Sequence, residues 1–239
     1  MVDNSGSKLW QQIMTNSPQN TSASFWQKYQ LYFLLIAAII IRQIPIVSIP
    51  LNWLESYFHE ISHGIAALLT GGEIMRIQLF ANGAGLCTTR GGLSFVISFF
   101  GYAGAIFWGW LLFTLANSHQ RTAQIVSGLM IFLLLASIVF WARDLLTIII
   151  ISSLAVMFVL TVKMRRLYTL QLLLKFFGLS ILLNSLFSPM YLFDGRDLGD
   201  GAALVSMTMV PELVWVLLWC VLAVAALYSL IKMNKKSYS

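Results

Sequence analysis

From residue 31 to residue 232 the chain alternates long apolar stretches with short polar ones. A helix needs about 20 apolar residues to cross a bilayer core. By that measure, spans are expected near residues 31–50, 51–69, 93–116, 124–142, 144–162, 167–187 and 211–232. "RQIP" interrupts the first span, and only Arg143 and Asp144 divide the fourth from the fifth. The expectation is therefore about seven spans, within a range of six to eight. Between the second and third spans the pattern changes. Residues 74–80 are β-prone, with Arg76 and Gln78 set among apolar neighbours, "ANGAG" is turn chemistry, and a second short β-prone run follows. These features predict an all-α polytopic membrane protein with a small β-hairpin lying against the membrane face. In "GYAGAIFWGW", Gly101, Gly104 and Gly109 predict a helix that packs closely on its neighbours.

Composition agrees with that architecture. Of the 239 residues, 59% are hydrophobic and 10% are charged, whereas a soluble domain carries about 25% charged residues. The net charge of +6 does not point to nucleic acid, because the basic residues sit between apolar runs, where a bilayer topology places them. Arg121, Lys163, Arg165, Arg166, Lys232, Lys235 and Lys236 fall on one side of a seven-span topology, which suggests a cytoplasmic C-terminus. Residues 1–28 read as a polar, mobile tail, 29–232 as one membrane-embedded domain and 233–239 as a basic tail. The opening has no apolar run of the kind a signal peptide needs. Cys87 and Cys220 are the only cysteines, and both are expected to be unpaired thiols.

Candidate chemistry is concentrated in "YFHEISHGIAALLTGG", residues 57–72. His59 and His63 are four residues apart, so on a helix they share one face, one turn apart. That spacing lets two imidazoles hold one tetrahedral zinc. Glu60 lies about 100° round the helix from His59, placed to reach a water on the metal without being a ligand. This is the H-E-x-x-H arrangement of zinc peptidases. Ionisable groups at bilayer depth are costly and mark functional sites, which favours a metal centre over polar side chains that merely satisfy one another. His119, in "ANSHQR", reads as a loop histidine. A zinc site needs a third ligand. The one dense acidic cluster elsewhere is "YLFDGRDLGDGAAL", with Asp194, Asp197 and Asp200, and one of the three is expected to supply it.

Taken together, these residues resemble the site-2 protease family of intramembrane zinc metallopeptidases, most closely its small bacterial branch. "HEISHGIAALLTGG" is similar to that branch's zinc helix, and "GAGLCTTRGG" and "GYAGAIFWG" follow in the expected order. "GDGAALVSMTMVPELVWVLLW" looks like the family's aspartate segment, so the similarity spans about residues 55–220. The resemblance implies zinc on His59 and His63, with Glu60 as general base. For the third ligand, Asn184, Pro189 and "LFDG" echo one family motif and point to Asp194, whereas "GDGAAL" fits the small branch better and points to Asp200. Asp200 is expected first, Asp194 second and Asp197 third. Asn184 is expected to make a helix-to-helix hydrogen bond rather than to assist an oxyanion.

The activity implied is hydrolysis of a peptide bond in or near the membrane segment of a membrane-protein or peptide substrate, in a bacterial inner membrane. A non-proteolytic metal-binding membrane protein and, behind it, a metal transporter are the competing readings. Glu60 counts against the first, and the scarcity of ionisable residues along other spans counts against the second.

Overall fold

The computed structural model describes residues 21–164, 166–194 and 198–236. In chain order the elements are α1 (Thr21–Arg42), α2 (Pro45–Leu69), β1 (Glu73–Leu79), β2 (Gly85–Arg90), α3 (Ser94–Ser118), α4 (Gln120–Phe140), α5 (Leu145–Val162), α6 (Leu167–Phe187), a 3-10 segment (Ser188–Asp194), α7 (Asp200–Thr208) and α8 (Glu212–Lys236). Residues 1–20 of the N-terminal tail, Arg165 and Asp197 lie outside the described residues, as do the side chains of Asp194, Lys235 and Lys236.

Among the described residues, α3, α4, α5, α6 and α8 are each long and apolar enough to cross a membrane. α1 and α2 pass that test only as a pair, bent by 110°. The protein is thus an all-α polytopic membrane protein with, among the described residues, five long apolar helices, or six spans if the bent pair counts as one, the lower end of the six to eight expected. The division within that pair is also displaced. Sequence reading puts it at residue 50, but α1 ends at Arg42 and α2 runs on through Pro50. The cause is Pro45. A residue preceding proline is pushed out of the helical region, and Ile44 is extended at φ −102° and ψ 100°. Pro45 itself suits the first turn of a helix, where its missing N–H has no intrahelical partner to lose.

The hairpin forms where expected. β1 and β2 pair antiparallel, with Gln78 opposite Leu86 and Ile77 opposite Cys87. The turn closes through Phe80 N–H to Ala84 O at 2.9 Å, with Gly83 at φ +87°. The outer edge of β1 is occupied, because Ile77 N–H donates to Trp141 O at 3.1 Å and Leu79 N–H to Thr147 Oγ1 at 2.9 Å. Arg76 pairs with Asp144 at 3.2 Å. Burial would raise the Asp144 pKa, but the Thr147 N–H and hydroxyl and the Arg76 guanidinium hold it below the ordinary carboxylate value.

α3 is the central element and packs mainly on α6 and α2. Its glycines permit this. A Cβ at Gly109 would lie 2.8 Å from Gly178 O on α6, and one at Gly178 would lie 2.7 Å from Gly109 O. With no hydrophobic drive between helices in lipid, such close backbone contact is a main source of helix association. Two apolar cores flank α3. One joins α2, the hairpin, α4, α5 and α6, and the other joins α1, α3, α6, α7 and α8. Lys175, the cation inside α6, is buried and donates to Gln30 Oε1 on α1 at 2.9 Å.

Candidate metal centre

α2 carries the histidine pair on the face it turns to a cleft of about 1190 Å³, which is also lined by Asn52, Glu55, Ser56 and Glu60. α7 brings Asp200 to the same point from far along the chain. Asp200 Oδ2 lies 3.0 Å from His59 Nε2 and 3.3 Å from His63 Nε2. The two Nε2 atoms are 3.0 Å apart. The three residues form a cluster able to hold a metal ion, and all three side chains are mostly buried. The donor set also fits zinc. Ligands about 2.0–2.1 Å from a tetrahedral ion stand roughly 3.3 Å from one another, close to the separations seen.

Local packing explains why these groups meet. Gly101 on α3 faces the cluster, and a Cβ there would lie 2.5 Å from His63 Nε2 and 2.8 Å from Asp200 Oδ2. Asp200 opens α7 directly after Gly199, whose φ of +96° favours glycine. His63 Nδ1–H donates to Ile97 O at 2.7 Å, which leaves Nε2 free to bind a metal. The Tyr102 ring stands edge-on to the His59 ring, with centroids 4.4 Å apart. Burial alone would raise the Asp200 pKa, but the charges of and hydrogen bonds from His63 and His59 hold its carboxyl far below the usual range. It is therefore an anionic donor at neutral pH.

Glu60 lies beside the cluster, buried, and does not belong to it. It faces the hairpin, where a Cβ at Gly85 would fall 2.5 Å from its Oε1 and the Cys87 backbone N–H is its hydrogen-bond partner. Burial, with a contribution from Glu60, pushes the Cys87 thiol up to about 12. Cys87 and Cys220 are both free.

Of the residues marked in the sequence, the structure thus brings together His59, His63 and Asp200, with Glu60 adjacent. His119 lies exposed between α3 and α4, away from the cleft. Asn184 donates to Asn52 Oδ1 at 3.1 Å, a helix-to-helix hydrogen bond as expected. Sequence reasoning missed Glu55, which lies buried in the same cleft one turn before His59. Its four-residue spacing from His59 was the available signal.

No curated protein and no solved structure matches the chain. The model of one family, described as Peptidase M50B-like, matches residues 31–230. A membrane bundle whose helices carry a buried His-His-Asp cluster agrees with that match, and the chain belongs to the Peptidase M50B-like family.

Proposed function

We propose that the protein is an intramembrane zinc metalloprotease of the site-2 protease type, cleaving a peptide bond in or near the membrane segment of a membrane-protein substrate. The observation that carries this reading is the convergence of His59, His63 and Asp200 on one point beside Glu60, inside a cleft large enough for a peptide. His59, His63 and Asp200 would hold zinc, which when bound supplies Lewis acidity and makes water a nucleophile near neutral pH. Glu60 would accept a proton from water as the water oxygen bonds to the scissile carbonyl carbon, and would return it to the amine nitrogen as the C–N bond breaks. The buried setting strengthens these charge interactions by excluding bulk water. The membrane implied is a bacterial inner membrane, with the C-terminus on the cytoplasmic side.

The test uses the full chain, purified in detergent, with a single-span membrane substrate. We expect about one zinc per chain, loss of cleavage on treatment with a chelator, and recovery when zinc is returned. A folded wild type that takes up no zinc would leave the family membership standing and remove the protease assignment.

A substrate helix must unwind before attack, and the hairpin offers a template for the unwound segment by β-addition. The edge that faces the cleft is that of β2, where the Cys87 N–H already meets Glu60. The register turns the Gly85 and Cys87 backbone groups outward, and residues 82–87 line the cleft. In the Glu60→Ala background, where turnover is not needed and the Cys87 N–H no longer meets Glu60, Cys87→Pro is expected to weaken substrate capture by crosslinking about fivefold to tenfold, the scale of one lost hydrogen bond. Zinc content should stay the same. Unchanged capture would exclude the edge from substrate binding.

A further inference from the structure

The two histidines of the cluster differ in their outer hydrogen bonds. A metal-ligating histidine almost always donates its second ring N–H to a carboxylate, a backbone carbonyl or water, which fixes its tautomer and orientation. His63 meets that requirement through Ile97 O at 2.7 Å. The polar contacts of His59 among the described residues run through Nε2, to His63 and Asp200. None of them runs through its Nδ1.

Four residues earlier on the same helix, Glu55 has the opposite deficit. Its side chain is buried, at 6% exposure, and its Oε1 has no hydrogen-bond partner. A buried acceptor left unpaired costs about 1–3 kcal/mol, and more when charged. Residues at i and i+4 lie one above the other on a helix, and long side chains lean towards its N-terminus. The His59 ring thus overlies the turn that carries Glu55. His59 is also the ionisable group that acts most strongly on this carboxylate, which Ser185 of α6 and Ser188 of the 3-10 segment also reach by hydrogen bonds. Because Oε1 is shielded from the cleft, a substrate group is not its natural partner.

We propose that Glu55 is the outer carboxylate of the metal centre, with its Oε1 accepting the Nδ1–H of His59 and so holding the tautomer that presents Nε2 to the metal. Glu55 is then a positioning residue that acts through His59. The proposal rests on reading His59, His63 and Asp200 as a zinc site. It gives the unpartnered Glu55 Oε1 and the second ring nitrogen of His59, one turn apart, a shared bond. It also makes the two histidines equivalent, one anchored by a backbone carbonyl and the other by a carboxylate.

The experiment is zinc affinity of the full chain in detergent, measured by competition with a chromophoric chelator. Glu55→Leu keeps the volume and removes the acceptor, and is expected to lower affinity about 10-fold to 100-fold. Glu55→Gln keeps a neutral acceptor and should lose a few-fold, since a charge-assisted bond is roughly twice as strong. In the His59→Ala background, Glu55→Leu is expected to change residual zinc binding no further, because the residue through which it acts is gone. Wild-type affinity in Glu55→Leu, or an equal loss in both backgrounds, would overturn the proposal. Should Glu55→Leu not fold, wild-type affinity in Glu55→Gln would overturn it instead. Absence of zinc from the wild type would overturn the metal reading itself, and this proposal with it.

Discussion

Glu60→Gln is expected to keep one zinc per chain and to lower substrate turnover by about 10²–10⁴-fold, the range for loss of a positioned general base. The substitution is nearly isosteric, so the tight fit against Gly85 survives and the fold should not change. An amide cannot accept the water proton, and that single function is what the variant removes. Glu60 stands outside the His59–His63–Asp200 cluster, so metal content and activity should separate cleanly. Elemental analysis alongside a cleavage assay on a single-span substrate reads both quantities. Turnover within about twofold of wild type, well below the general-base range, would remove Glu60 from the proton-transfer role.

Asp200→Ala is expected to do the opposite and remove the metal. Asp200 Oδ2 is the atom that approaches both Nε2 atoms, at 3.0 and 3.3 Å. Sharing about 10–16 kcal/mol of zinc binding among four ligands gives roughly 3 kcal/mol per ligand, or about 10²-fold in affinity. Removing the carboxylate also leaves two imidazoles 3.0 Å apart with no anion between them. Asp194→Ala is the matching control, because its side chain lies outside the described residues and sequence motifs made it the second choice. Zinc lost with Asp200→Ala and kept with Asp194→Ala is the expected pattern. The reverse pattern would move the third ligand to Asp194 and leave His59, His63 and Glu60 in place.

Much of the site was legible because it is local. The spacing of His59 and His63 puts them on one face of any helix they share, and α2 is such a helix. The hairpin was legible for a similar reason, since two β-prone runs around a Gly-containing turn specify their own register. Gly109 was legible as a contact residue, although its partner, Gly178, was not. The break between α1 and α2 was marked by "RQIP", but the boundary between the first two spans was put at residue 50. The decisive signal was the backbone restriction that Pro45 imposes on Ile44.

The chain by itself determined a polytopic helical membrane protein, the histidine pair with Glu60 beside it, and the hairpin that follows. Each rests on backbone periodicity or turn chemistry acting over a few residues. The tertiary structure, among the described residues, is what brings Asp200, the aspartate expected first, to the histidine pair. Three aspartates lie within seven residues, and the approach of Asp200 to the pair depends on how α7 packs against α3 across Gly101. It also decided that Glu55 lies buried with an unpaired oxygen beside His59. Burial and hydrogen-bond satisfaction are properties of the packed bundle, and no local pattern contains them.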